Sequence, residues 1–354
     1  MTIKSLSHIL SIIFLSFFTF GCDSKRQANI DEQTAVFSSK ISLECSHKPM
    51  GIIIKAGSIY KCGKYILIYD RFNGAEFHYA VFNQNLDYLY SFCRKGNGPG
   101  ECLMPTIVKN QDSDICFMRD HGNDNFYRFS LNDSCAEFIG TLRLPTSGID
   151  FPFEINQISQ DRLLLKSASF NKIRRQLWNL EQITLIDSLP TSFGYENKLK
   201  EKYHPEYDDF WMTAEDQKFM CAYFFEKCIE FGKIDKDRLK IVRHWGSLET
   251  KDLHWFEADP PSDKYKYNSY YNTVYYESTA SGDGSFWAGY AGVPWGELDM
   301  HHSQIIERYS LDGIPEVKYE LSAPVETFII LDNPNRIIAL NPDIYEDSFM
   351  IFPL

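Results

Sequence analysis

Apolar and polar residues alternate along most of this chain in short runs, broken by glycine, asparagine, aspartate and proline. Period-two alternation places one side chain of each pair on a buried face, which is the pattern of half-buried strands. Helical periodicity is scarce. The runs fall into groups of four. The first holds Ser58–Lys61, Tyr65–Asp70, Glu76–Phe82 and Tyr88–Phe92. Similar groups follow over 106–144, 153–189 and 209–245. A longer fifth group spans 267–321 and contains an insertion-like stretch, Gly292 to His302. The sixth, from Val325, offers only Thr327–Leu331, Arg336–Asn341 and Ser348–Phe352. Four short antiparallel strands make one propeller blade, and a repeat of about 40–55 residues suits that unit. The expected architecture is all-β, a six-bladed β-propeller over 36–354. The strand missing from the last blade is expected from the amino end, at Val36 to Leu43. Such closure would leave no open edge.

One stretch resists the strand pattern. Arg94-Lys95-Gly96-Asn97-Gly98-Pro99-Gly100-Glu101 packs three glycines and a proline between two strand-like runs. Glycine reaches left-handed geometry without steric cost, and proline fixes φ and lacks a ladder donor, so a stiff loop is expected. The spacing matches neither a P-loop nor a dinucleotide fingerprint, and no helical pattern follows, although Arg94 and Lys95 would suit an anion. Gly96, Gly98, Pro99, Gly100 and Glu101 form a G-x-GPGE sequence that resembles the signature of the TolB-like six-bladed β-propeller lipoproteins of Bacteroidetes. The segment from Tyr267 to Leu354 is also similar to that family, and the middle of the chain is not. The resemblance implies a fold and an envelope address rather than an activity.

The amino end agrees with that address. Residues 1–21 open on Lys4, continue through an apolar run from Ile9 to Phe20, and end at Gly21-Cys22. The run is short for a spanning helix and right for a secretory leader. A small residue before a cysteine resembles a lipobox, with the bulky Phe20 a departure from the strict pattern. Cys22 is therefore the expected lipidation site, and acyl chains there would supply the membrane anchor, at about 0.8 kcal/mol per buried methylene. Residues 22–35 are polar enough to read as a tether.

Charge and composition narrow the partners. The full sequence carries a net charge of −12, without a basic stripe, which argues against nucleic acid. Setting Cys22 aside, eight cysteines remain at irregular spacing with no CxxC. Zinc is not expected from them, and their apolar neighbours suggest buried thiols rather than disulfides, Cys93 with Cys102 being the pair to check. No HExxH, EF-hand or G-x-S-x-G sequence is present. His301 and His302 are adjacent, would face opposite ways on a strand, and read as loop or surface residues without a shared metal. No cofactor, metal or catalytic residue is identified. Aromatic residues crowd the last third, where Trp245, Trp255, Trp287 and Trp295 lie among many tyrosines. Most such rings fill cores, but Trp255 and Trp295 lie in loop-like sequence and are the candidates for stacking on a glycan or an envelope protein.

The expected function is a non-catalytic binding or interaction module on a Gram-negative envelope. The alternatives are a propeller enzyme of lyase or hydrolase type, working at the central channel, and a structural subunit of an envelope complex. A convergent set of His, Asp, Glu or Arg at the channel would separate the enzyme from the others.

Overall fold

The computed structural model describes residues 34–354 except 73, 111–112, 124, 144–151, 170–171, 191–208 and 248–271. They form a six-bladed β-propeller. Blade 1 is Ala56–Cys62, Tyr65–Asp70, Phe77–Phe82 and Tyr88–Arg94, in that order from the channel outward. Blades 2, 3 and 4 repeat the meander over 105–143, 152–190 and 210–246. Blade 5 begins at Thr273–Gly282 and blade 6 at Thr327–Asp332.

The strands are apolar on both faces because each blade is packed between two others. In blade 6, Phe328 and Ile330 pack against Trp287, Ile306 and Tyr319 of blade 5. The alternate residues Ile329 and Leu331 pack against Ile59, Ile66 and Phe82 of blade 1. One such buried cluster occupies each of the six seams. The core is thus a ring of sheet-on-sheet contacts, and the axis is left as a channel.

Closure by the amino end holds, but by a different strand. Blade 6 is completed by Ser46–Pro49, antiparallel to Ser348–Pro353. The expected segment instead supplies Ser39–Leu43, which lies parallel to Pro315–Val325 as a fifth strand of blade 5. The apolar residues that suggested a closing strand are mostly outside the core: Val36 and Ile41 are exposed, while Leu43 is buried and Phe37 packs edge-on against Tyr309. The polar sequence Ser46-His47-Lys48-Pro49 gave no strand signal because an outermost strand needs only its backbone to pair. The amino end therefore ties two blades rather than one.

The glycine loop links the outer strand of blade 1 to the inner strand of blade 2. Glu101 folds back so that its carboxylate accepts the Gly98 N–H at 2.8 Å. A Cβ on Gly96 would lie 2.1 Å from that carboxylate and displace it from the Gly98 N–H, and Gly100 has φ +76°, so both positions favour glycine. Cys93 and Cys102 beside it are free thiols, each near the Met118 sulfur, and all eight cysteines of the propeller are free. The Gly292–His302 stretch is the end of one strand, Ser285–Pro294, followed by a 3-10 helix, Trp295–Met300. No helix among the described residues is long and apolar enough to cross a membrane.

Candidate functional site

The six innermost strands surround a cavity of about 770 Å³ on the propeller axis. Neighbouring inner strands run the same way, as the parallel bridge from Lys109 to Asn156 shows for blades 2 and 3. Each blade therefore presents the start of its first strand at one mouth and its end at the other. Glu326 immediately precedes the inner strand of blade 6 and Asp332 ends it. At roughly 3.3 Å per residue the two carboxylates mark mouths about 20 Å apart.

The mouths differ in how their charges are matched. At the trailing mouth, Lys61 pairs with Asp332 at 3.0 Å, and Arg308 reaches Asp283 at 3.2 Å and Glu316 at 3.1 Å. Midway, Lys109 and the Met212 N–H share Glu154, at 3.2 and 2.7 Å. At the leading mouth the side chains converge. His302 is 4% exposed. Its Nδ1 faces Glu277 Oε1, and its Nε2 lies 3.2 Å from Asp343 Oδ2. The other Glu277 oxygen accepts the Ser303 N–H at 3.0 Å and its hydroxyl at 3.1 Å. Glu326 accepts a hydrogen bond from Arg71 through Oε1, while its Oε2 is buried without a partner among the described residues. Donor atoms of His302, Glu326 and Asp343 all lie within 4.8 Å of one another.

These residues are far apart in sequence and meet because of strand order. Glu277 lies in the inner strand of blade 5. His302 directly precedes that blade's third strand, Ser303–Ser310, which runs the same way and so starts at the same mouth. Asp343 follows the second strand of blade 6, Asn335–Leu340, which returns to this mouth. Burial disfavours the His302 imidazolium, but the carboxylates of Glu277 and Asp343 outweigh it and lift its pKa to about 9. Burial also raises Glu277, against the hydrogen bonds from His302 and Ser303. Both partners thus hold protons more tightly than usual.

The wall also carries hydroxyls with no partner among the described residues. Thr213 Oγ1, Ser278 Oγ and Thr279 Oγ1 are buried and unsatisfied, as is the indole N–H of Trp211. All four residues line the cavity. Each of these atoms is buried, so a molecule in the channel would reach one only where its side chain turns toward the cavity.

Of the two tryptophans put forward from sequence as exposed, Trp295 lies beside this mouth. It is 39% exposed and packs edge-on against Phe224 at 6.2 Å, while Phe224 itself lines the cavity. Trp255 lies outside the described residues, as do 191–208 and 248–271 as a whole. Arg94 pairs with Glu76 at 3.2 Å, and Lys95 caps the Phe72 carbonyl at 2.7 Å. Neither lines the cavity. Trp287 is fully buried and donates to the Gly282 carbonyl, so it is a packing residue. Reading His302 as a surface residue is corrected: His301 is exposed and His302 points into the channel wall. Both histidines precede the strand that starts at Ser303, so strand alternation does not apply to them and could not say which faced inward.

No family model matches the chain, and no curated protein matches it. Solved structures do. An exported protein of Bacteroides fragilis superposes with a TM-score of 0.54 at 12% identity, over 88% of this chain and 98% of that one. A DUF4221 family member from Bacteroides vulgatus gives 0.57 at 10% identity, over 87% and 95%. At these identities the likeness is one of fold alone.

Proposed function

We propose that the chain is an exported propeller, held to the cell envelope through acyl chains on Cys22, that binds a small hydroxyl-rich ligand such as a glycan fragment in its central channel. The observation that carries the binding role is the cavity itself. Its volume is within the range of about 300–1,000 Å³ usual for small-molecule sites. Its wall holds hydroxyls, an indole N–H and carboxylates not fully used among the described residues. The leader pattern ending at Cys22 supports the address, as does the exported character of the Bacteroides fragilis neighbour. The G-x-GPGE loop supports membership of the TolB-like group only through its fold, since Glu101 and the glycines are used to close the loop on itself.

A panel of mono- and oligosaccharides, read by thermal shift and calorimetry on the full chain, tests this. Thr213→Val and Thr279→Val should weaken a genuine ligand about tenfold each, as expected for a lost hydrogen bond. They should leave the fold at least as stable, because each removes an unsatisfied buried hydroxyl. A panel without binders, or binding indifferent to both variants, would sink the channel reading. The anchor is tested separately, by an acyl mass increment that disappears in Cys22→Ala.

A second reading is favoured by one observation. His302, Glu277, Glu326, Asp343 and Arg71 converge at one mouth, as a propeller enzyme of hydrolase or lyase type requires. An imidazole beside carboxylates can give and take a proton. Turnover of a bound saccharide, lost in His302→Gln while binding persists, would move the function to catalysis.

A further inference from the structure

We infer that the leading mouth is a divalent-cation site, with His302, Glu326 and Asp343 as protein ligands and Glu277 orienting the imidazole. It rests on reading this mouth as the functional end of the channel, and it adds a specific occupant. The donor set is one imidazole nitrogen and two carboxylates, a mixture that suits zinc or manganese better than calcium or magnesium, which favour oxygen alone. The spacing is right in scale. Ligands about 2.1 Å from a zinc ion stand roughly 3.4 Å apart at tetrahedral angles. Here all three donor atoms already lie within 4.8 Å of one another, so closure takes side-chain adjustment and no backbone movement.

Two further observations point to a ligand rather than to a structural knot. A metal-bound histidine typically gives its second nitrogen to a carboxylate, which fixes the ring. His302 is held in that way: Glu277 grips Nδ1 and is itself anchored by the Ser303 N–H and hydroxyl at 3.0 and 3.1 Å. This leaves Nε2 directed at Asp343, on the cavity side. Glu326 offers the complementary arrangement. Arg71 takes Oε1 and steadies the carboxylate, and Oε2 is buried with no partner among the described residues. The cation would take the place of the Nε2 proton and receive the unused carboxylate oxygen. Its remaining positions would face the cavity, where water or a hydroxyl of the channel ligand could complete the sphere.

The test uses the full chain, stripped with a chelator and titrated with Zn²⁺ and, as a spectroscopic substitute, Co²⁺. One equivalent per chain should bind, with Co²⁺ visible absorption of a nitrogen–oxygen site. Asp343→Asn is the cleanest variant because Asp343 is 46% exposed and its loss does not threaten folding. It should weaken binding at least about tenfold. Glu277→Gln should weaken it about 10–100-fold, the usual effect of removing an orienting partner. His302→Gln should abolish the cobalt spectrum while near-ultraviolet circular dichroism stays native. Absence of saturable binding would overturn the inference. So would wild-type affinity in both Asp343→Asn and His302→Gln, or a sulfur-to-cobalt charge-transfer band, which would assign the metal to cysteines. None of these outcomes touches the saccharide screen with Thr213→Val, so the two readings fail separately.

Discussion

At the seam of blades 3 and 4, Arg175 is wholly buried and every part of its guanidinium is used. Nη2 donates to Glu230 and, at 2.6 Å, to the Tyr223 hydroxyl, Nε donates to Cys221 at 3.2 Å, and Nη1 reaches the Pro190 carbonyl at 3.4 Å. The Tyr223 hydroxyl in turn donates to Glu230 at 2.6 Å. At the channel mouth between blades 5 and 6, His302 is also buried, at 4% exposed, but its cluster is open: Asp343 is half exposed and one Glu326 oxygen has no partner among the described residues. The choice of cation follows the role. Arginine stays charged and offers a rigid fork for a closed network, whereas histidine can exchange its proton for a metal. Buried charge alone therefore does not mark a functional site in this molecule. Unfinished coordination beside a cavity is what distinguishes the channel mouth from that seam.

The largest effect should come from opening the closed cluster. Glu230→Leu strands Arg175 and should cost about 3–5 kcal/mol in urea unfolding, the usual penalty for an orphaned buried charge. Adding Arg175→Met to it should recover most of that loss, since an apolar pair of similar volume fits such a seam. A double variant as unstable as the single would mean that the seam needs the ion pair itself.

Alkaline titration sharpens the same contrast. Burial, only partly opposed by Arg175, pushes the Tyr223 phenol well above its usual value, and burial does the same for Tyr276 and Tyr309. The folded chain keeps these protons while the unfolded chain releases them near pH 10. Their contribution is thus fully present below about pH 10, and stability should fall as pH rises beyond it. Ultraviolet absorbance should show these phenols ionising only with unfolding.

The open cluster should respond weakly in stability. Asp343→Asn removes a partly exposed pair and should shift unfolding by less than about 1 kcal/mol, so any loss of binding is not a folding effect. Smallest of all is the effect of thiol modification. Cys22 aside, a charged disulfide reagent should label Cys135, which is exposed, and more slowly the half-buried Cys45, without altering the fold. Cys221, pushed up to about 11 by burial despite Arg175 beside it, should react only at the rate of unfolding.

The blades were legible because alternate residues of one strand serve two seams, as with Ile329 and Ile330, so the apolar signal is strong in every group. The closing strand was not, because Ser46–Pro49 joins through its backbone and carries no apolar pattern. The site was less legible still. Glu277, His302, Glu326 and Asp343 come from separate segments, and Arg71 reaches Glu326 across 255 positions. No local spacing encodes such a meeting; it appears only once the strands are ordered around the axis. Trp295, chosen for its loop-like surroundings, lies beside that mouth because the 3-10 helix that carries it leads directly into His301 and His302.

The most direct measurement is anomalous X-ray scattering at the zinc edge from crystals of the protein grown with one equivalent of Zn²⁺. A single strong peak within about 2.3 Å of His302 Nε2 and of oxygens from Glu326 and Asp343 is expected. No peak there, or a peak on cysteine sulfur or surface histidines with His302 still bonded to Asp343, would contradict it and leave the cluster a structural ion network like that of Arg175.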